Sequence, residues 1–197
     1  MAHERSLRLR ARSGETFGFE PGALCLELGY TGGAGDRAAY ETLHEPADLH
    51  RWLRGFVEVA VAPVTDADHL QAQRLREGIW QCMDARADGT PLPRAHVEQV
   101  NRFALKPSLA PVLDAAGGRR WAEPASCDAV LSTLARDLIE VLTGPLGDRV
   151  RRCGGDHCPL LFVDASRPGR RRWCSMQRCG NRAKVRAFRD RQHGERP

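Results

Sequence analysis

Apolar residues recur at helical spacing through most of the first 145 residues. The first stripe follows a start at Pro46, because proline is favoured in the first turn of a helix. Its members fall at i, i+3, i+4, i+7 and i+8, and they are Leu49, Trp52, Leu53, Phe56 and Val57. This pattern predicts an amphipathic helix that ends by Pro63.

A second helix is predicted directly after it. Thr65 and Asp68 have the spacing of a capping box, in which each side chain satisfies a backbone N–H at the start of the helix. The helical pattern continues to about Ala87. Its predicted apolar face comprises Leu70, Leu75, Ile79, Cys82 and Met83.

Two more helices and a short hairpin complete the N-terminal part. A third helix is predicted over residues 93–105. Residues 109–123 then contain two extended segments around a Gly-Gly pair, as in a β-hairpin. Ser126 caps the last helix, which the Gly-Pro pair at 144–145 ends. The predicted apolar stripe of this helix comprises Val130, Leu131, Leu134, Leu138, Val141 and Leu142. The sequence therefore predicts a mainly α-helical fold, with a helical domain over residues 1–145 that includes a small β-hairpin.

The start of the chain is less regular. Residues 1–15 are polar and basic, and we expect them to be frayed. Residues 23–30 form a short apolar segment that fits either a strand or a helix. The glycine-rich residues 31–35 lack the spacing of a phosphate-binding loop, so an ordinary loop is expected there.

The charge of the chain is unevenly distributed. The 197 residues have a formal net charge of +5. Residues 150–197 contain thirteen Lys and Arg against four Asp and Glu, which gives +9, and the preceding 149 residues give −4. This asymmetry is typical of a neutral or acidic body with a basic end that seeks a polyanion, although a cationic face without a partner is an alternative.

Hydropathy and the N-terminus indicate where the protein works. Charged residues break every apolar run well short of a membrane span, so no membrane association is expected. The N-terminal residues lack the apolar core of a secretory signal. We therefore expect a cytoplasmic protein, whose seven cysteines stay reduced.

Four of these cysteines have the spacing of a metal site. Cys153, Cys158, Cys174 and Cys179 follow the pattern C-x4-C-x15-C-x4-C. Two close pairs on either side of such a loop can converge on one tetrahedral ion, and Zn²⁺ suits an all-sulfur site best. Because four protein ligands leave no position for water, such a zinc ion is structural, with one ion per chain.

Other uses of these cysteines remain open at this point. Disulfides are disfavoured in a reducing compartment, the spacing differs from that of ferredoxin-type iron–sulfur sites, and a redox pair has two intervening residues instead of four. His157 or His193 could replace one sulfur. The remaining cysteines, Cys25, Cys82 and Cys127, lie in apolar surroundings and are interpreted as small buried hydrophobic residues.

The segment between the two cysteine pairs is expected to form a β-hairpin. Residues 160–163 have strand propensity, residues 166–169 form a turn, and residues 171–173 can return antiparallel. This hairpin would bring Cys158 and Cys174 together. The C-terminal part, residues 146–192, is thus predicted to be a small zinc-bound β-hairpin/helix module.

From Gln177 onward the residues favour a helix with a basic stripe. At about 100° per residue, four arginines fall within a sector about 80° wide, and they are Arg178, Arg182, Arg186 and Arg189. This stripe suits contacts with phosphate and with a DNA major groove. An alternative is that some arginines pack on the body or neutralise the thiolates. The predicted nucleic-acid contacts are Arg170, Arg171, Arg172, Arg178, Arg182, Lys184, Arg186 and Arg189.

The residues around the cysteines resemble a known family. The C-terminal part shows Cys-Gly-Asn-Arg at 179–182, Arg-Trp-Cys-Ser-Met at 172–176 and Phe-Val-Asp at 162–164, and it resembles the CGNR zinc finger. The body, with Leu-Cys-Leu-Glu-Leu at 24–28, is similar to the ABATE domain of bacterial stress-induced transcription regulators. The resemblance implies zinc binding by the four cysteines and a role in DNA binding.

Two positions depart from that pattern. Pro168 stands in a turn where the family usually has Asn. Tyr30 stands where an Asn is expected after the apolar segment. These departures bear on the geometry of the turn and on any function of the body that depends on the Asn.

These observations favour a DNA-binding transcription regulator with a structural zinc ion. The alternative is a protein- or RNA-interaction module in which zinc only braces the C-terminus. No Ser–His–Asp, H-E-x-x-H or nucleotide-binding pattern is present, and solvated helix faces explain the histidines of the body, so no enzyme and no catalytic residue is expected. A homodimer and a small-molecule effector in the helical domain are further expectations.

Overall fold

The apolar stripes become helices that pack around one central helix. The computed structural model describes residues 6–10 and 14–194. Among them, α3 contacts each of the other four helices of the body. In chain order these helices are α1 (Cys25–Gly29), α2 (Pro46–Val57), α3 (Asp66–Ala87), α4 (Arg94–Ala104) and α5 (Cys127–Thr143).

Side-chain caps explain where these helices begin. Thr65 Oγ1 accepts a hydrogen bond from the backbone N–H of Asp68 at 3.2 Å, and the Asp68 carboxylate accepts one from the Thr65 N–H at 2.8 Å. This confirms the predicted capping box of α3. Glu45 and Asp48 form a second capping box at α2, and Ser126 caps α5 through the Ala129 N–H.

The predicted stripes form the core, with one exception. The stripes of α2 and α5 face inward, where Leu49, Leu53 and Leu134 are fully buried. Leu70, however, is 50% exposed, so its predicted place on the buried face of α3 is wrong. None of residues 66–71 is buried, because packing on this helix begins at Ala72.

The irregular start of the chain contains a hairpin that the sequence analysis did not predict. Strands β1 (Leu7–Arg10) and β2 (Thr16–Phe19) pair antiparallel, with Leu9 opposite Phe17. The expectation of frayed residues is therefore wrong for Leu7–Arg10, where leucine and arginine alternate and Leu9 is buried. Residues 1–5 and 11–13 of that expectation lie outside the described residues.

The structure also decides the fold of residues 23–30 and of the segment near residue 115. The open choice at residues 23–30 is resolved as α1, which is buried along its whole length. The predicted hairpin near residue 115 is confirmed, since β3 (Pro111–Leu113) pairs antiparallel with β4 (Arg119–Trp121).

The C-terminal module combines a hairpin with a helix, as predicted. Strands β5 (Val150–Arg152) and β6 (Leu161–Val163) pair antiparallel. A π-helical turn at Met176–Gly180 then leads into α6 (Asn181–Gly194). The mainly α-helical fold with a small hairpin/helix module at its end is thus confirmed.

The partner of β6 differs from the prediction. Residues 171–173 were expected to pair with it, but β5 occupies that role. The reason lies at Asp164, whose carboxylate accepts hydrogen bonds from the backbone N–H of Ser166 at 3.1 Å and of Arg171 at 2.7 Å. These bonds close residues 164–171 into a loop, so the returning chain does not form a ladder with β6.

The module and the body share one hydrophobic core. Strand β6 is completely buried, and it contacts α3. The Tyr30 hydroxyl donates to the Leu161 carbonyl at 2.5 Å and accepts from the Leu161 N–H at 2.8 Å. At the surface, Arg152 pairs with Asp84 at 2.8 Å and Asp88 at 2.9 Å on or beside α3.

A glycine allows the closest approach between the two parts. The Val163 N–H donates to the Pro21 carbonyl at 2.8 Å. The next residue, Gly22, has φ +80°, and a Cβ atom there would lie 2.2 Å from the Val163 carbonyl oxygen. Any side chain at residue 22 would therefore push β6 away from the body.

The variant Gly22→Ala tests this contact. It should destabilise the protein by about 1–2 kcal/mol through the left-handed backbone and by about 1–3 kcal/mol more through the clash with β6. Gly117→Ala is the matched control, because Gly117 also has φ +80° but has no atom within 4 Å of the added Cβ. Urea unfolding of both variants gives the comparison, and equal losses would contradict the close contact.

Candidate metal centre and basic helix

The four predicted cysteines come together although they lie on separate segments. Cys153 follows β5, Cys158 precedes β6, Cys174 precedes the π-helical turn and Cys179 lies within it. Their sulfur atoms all lie within 4.8 Å of one another. Among the side chains that the structure describes, this group contains no histidine, and the His193 side chain lies outside that part of the chain.

The spacing of the sulfur atoms suits a tetrahedral ion. The Sγ atom of Cys174 lies 3.8 Å from that of Cys158 and 3.6 Å from that of Cys179. A zinc–sulfur bond of about 2.3 Å in a tetrahedron separates its sulfur atoms by about 3.8 Å. The geometry and the donor type of the site therefore fit Zn²⁺.

Backbone groups around Cys153 favour a thiolate. Its Sγ atom accepts hydrogen bonds from the Cys174 N–H at 3.2 Å and the Gly155 N–H at 3.4 Å. Gly155 also keeps the site compact, because a Cβ there would lie 2.9 Å from the Cys179 sulfur. The two glycines after Cys153 thus let the first cysteine pair turn tightly around the second.

The proximity of the thiols changes their acidity. The hydrogen bond from Cys158 lowers the pKa of Cys153 to about 2, whereas that same interaction with Cys153 raises the pKa of Cys158 to about 12. Hydrogen bonding to Cys153 also raises the pKa of Cys174. A thiolate at Cys153 is therefore favoured, and a dication bound by the four sulfurs stabilises it further.

The other three cysteines are buried thiols, as interpreted from the sequence. Burial raises the pKa of Cys82 to about 11 and that of Cys127 to about 12. Burial, with the nearby Asp137 carboxylate, also raises the pKa of Cys25. They lie on helices of the body, outside the four-cysteine group.

Arg171 is half-buried and its side chain contacts other parts of the protein. Its guanidinium donates to the backbone carbonyls of Glu20 at 2.9 Å, Trp173 at 3.0 Å and Cys174 at 2.5 Å. It also lies 4.2 Å from the centre of the Phe162 ring. Arg171 thereby ties the segment before Cys174 to β6 and to the end of the β1–β2 hairpin. Periodicity gives no signal of such a role.

Arg178 is also held against the body. Its guanidinium lies over the Phe17 ring at 4.5 Å, and its Nε and Nη1 atoms are buried without a hydrogen-bond partner among the described residues. Because Arg178 lies in the π-helical turn, it does not continue the regular spacing of α6. The predicted stripe of four arginines is therefore interrupted at its first member.

The remaining predicted contact residues are exposed. On α6, Arg182 lies 3.8 Å from the Glu15 carboxylate and Arg186 pairs with Asp156, whereas Lys184 and Arg189 face solvent. On the loop before Cys174, Arg170 and Arg172 are exposed as well, the latter with its guanidinium 5.1 Å from the Trp173 ring.

Comparison with known families accounts for nearly the whole described chain. Residues 22–145 match the family called ABATE, described as a putative stress-induced transcription regulator. The chain belongs to the ABATE family. Residues 149–192 match the CGNR zinc finger, so the finger follows the ABATE domain along the chain. Both are regulator and zinc-finger types, not enzyme families.

The zinc-finger match and the four-cysteine group together identify a structural zinc ion as the cofactor. No curated protein matches the sequence of this ABATE-family chain. Among the described residues, no helix combines the length and the apolar character that a bilayer span requires.

Replacement of one cysteine tests the metal site. Metal analysis of the purified protein should find about one zinc per chain, and Cys174→Ala should lose it because three thiolates hold the ion less well than four. Cys82→Ala is the control, since it removes a buried thiol far from the site and should keep the zinc. Retention of zinc by Cys174→Ala, or its loss from Cys82→Ala, would contradict the assignment.

Proposed function

We propose that this protein regulates transcription by binding DNA through α6, which the zinc site holds at its N-terminal end. The observation that carries the proposal is the surface of this helix. Every residue from Lys184 to Gln192 is exposed. Between Asn181 and Gln192 the helix has one acidic residue, Asp190, and five cations, which are Arg182, Lys184, Arg186, Arg189 and Arg191.

The zinc ion has a structural role in this proposal. Cys153, Cys158, Cys174 and Cys179 are its ligands, and their full coordination leaves no position for a substrate. Four thiolates and one Zn²⁺ have a net charge of −2, which the surrounding arginines offset. The ion fixes the π-helical turn against the β5–β6 hairpin, and it thereby sets the direction in which α6 leaves the module.

Arginines of α6 and of the turn before it line a groove suited to phosphate. A cleft of about 530 Å³ is lined by Arg178, Arg182, Arg186 and Arg189, together with Asn181 and Asp190. The carboxylates of Glu15 and Asp156 now pair with two of these arginines. Surface ion pairs of this kind contribute only about 0–1 kcal/mol, so a DNA phosphate can displace them.

The predicted contact residues therefore divide into two groups. We expect Arg170, Arg172, Arg182, Lys184, Arg186 and Arg189 to contact DNA. Arg171 and Arg178 act indirectly, because their guanidinium groups are packed on Phe162 and Phe17. Their replacement should change the stability of the module before it changes the number of phosphate contacts.

The proposal extends to the organisation of the protein. We infer two domains, residues 1–145 and 146–192, which share one hydrophobic core. We also infer a cytoplasmic location, where the DNA of a bacterium lies.

A homodimer would match the symmetry common among oligomers. For a small-molecule effector, the body offers a cleft of about 380 Å³ beside Tyr30, Tyr40 and Trp52.

One observation favours the alternative of a protein- or RNA-interaction module. Met176, Val185 and Phe188 are each about half exposed, at 53%, 50% and 54%. Large apolar side chains at a surface often mark a contact with another molecule. A protein partner of the C-terminal module without any affinity for DNA would favour this alternative.

The salt dependence of DNA binding tests the proposal. Binding of a fluorescent duplex to the zinc-loaded protein should weaken steeply with salt, and Arg189→Ala should reduce the log–log slope by about 0.9, the value for one phosphate contact. Arg94→Ala, on the exposed end of α4, is the control and should leave the slope unchanged. Absence of binding at low salt, or binding that salt does not weaken, would contradict the proposal.

The variant Arg171→Ala tests the division into two groups. Loss of its three hydrogen bonds to backbone carbonyls and of its packing on Phe162 should lower the thermal midpoint, whereas Arg189→Ala leaves the midpoint unchanged. Thermal unfolding of both variants with zinc bound gives the comparison. An unchanged midpoint for Arg171→Ala, together with a reduced salt slope, would instead make it a phosphate contact.

A further inference from the structure

We propose that Val185, Phe188 and Gln192 form a strip on α6 that reads base edges in the DNA major groove, with thymine methyl groups as its main target. This inference rests on the proposed function, because it assigns a recognition surface to the helix that binds DNA. The strip determines which DNA sequence the protein prefers, whereas the arginines of α6 determine its affinity for phosphate.

The order of residues around α6 places this strip between two rows of cations. At about 100° per residue, Val185, Gln192 and Phe188 fall within a sector about 60° wide. Arg182, Arg186 and Arg189 lie about 100° to one side of its centre, and Lys184 and Arg191 lie about 80° to the other side. The only acidic residue, Asp190, falls on the far side of the helix with Ala183 and Ala187.

In the part of the chain that the structure describes, the side chains of this strip are largely open to solvent. Val185 is 50% exposed, Phe188 is 54% exposed and Gln192 is exposed as well. A helix of 14 residues is of marginal stability in water when it stands alone. Exposure of two large apolar side chains on such a helix indicates that a partner covers them during function.

A duplex major groove matches this arrangement. The groove is about 12 Å wide, which admits one helix, and phosphates line both of its edges. With the strip toward the base pairs, the two rows of cations face the two phosphate backbones. The apolar side chains then meet thymine C5-methyl groups, and the Gln192 amide can reach the N6 and N7 atoms of adenine.

The flanking charges favour DNA over a protein as the partner. A protein-binding helix needs an apolar face, but it does not need rows of cations on both sides of that face. The minor groove, at about 6 Å, is too narrow for the helix. The two-sided arrangement of cations is therefore the observation that selects a double-stranded polyanion.

Duplexes that contain uracil in place of thymine test the inference, because the two bases differ only in the C5-methyl group. Duplexes enriched by the wild-type protein from a random pool are resynthesised with either base, and both forms are titrated with zinc-loaded protein. The enriched duplexes should contain T·A pairs, and replacement by uracil should weaken binding about fourfold for each methyl group in contact.

Variants of the strip complete the experiment. The double variant Val185→Ala/Phe188→Ala should bind the thymine and uracil duplexes with similar affinity, with the salt slope unchanged. Alanine favours a helix, so α6 is retained. Leu113→Ala is the matched control, since Leu113 is an apolar residue of the body that is 83% exposed, and it should still prefer thymine.

The two proposals fail in different ways. Steep salt dependence with equal binding of thymine and uracil duplexes would overturn the reading strip and leave DNA binding by the arginines intact. A full preference for thymine that survives in the double variant Val185→Ala/Phe188→Ala would place the reading surface elsewhere. Absence of DNA binding with zinc in place would overturn the proposed function together with this inference.

Discussion

Four cysteine sulfur atoms within 4.8 Å of one another cannot all be ionised without a compensating cation. That constraint organises the C-terminal module, because the sulfurs belong to two cysteine pairs, at 153–158 and 174–179, that one ion joins. With Zn²⁺ in place the same repulsion becomes attraction, and the β5–β6 hairpin and the π-helical turn are held together. The position of α6, and hence of every exposed cation on it, follows from this one site.

The module depends on the body as well as on zinc. Strand β6 is too short to form a stable sheet with β5 alone, since isolated two-stranded hairpins are marginal in water. The body completes it through the Val163–Pro21 hydrogen bond and through Tyr30, whose hydroxyl pairs with both backbone groups of Leu161. The length of the Tyr30 side chain is what allows this contact.

Sequence reasoning succeeded where the signal is local and failed where it depends on distant partners. Cysteine spacing, the Thr65 cap and the stripe of α5 each follow from residues close together in the chain. The partner of β6 was mispredicted because the Asp164 carboxylate, not strand propensity, decides the path of the next residues. The packing of Arg171 on Phe162 is likewise not visible in the sequence, which shows only the charge of the residue.

The uneven distribution of charge determines which part of the protein attracts a polyanion. The first 149 residues have a net charge of −4 and the remainder +9, so a duplex is repelled from the body and attracted to the zinc module. Screening limits this steering to about 10 Å at 0.1 M salt, a distance comparable to the thickness of one helix. Arg171 and Arg178 are packed on aromatic rings, so the exposed cations of the module that can meet a polyanion include those of α6 and, on the loop before Cys174, Arg170 and Arg172.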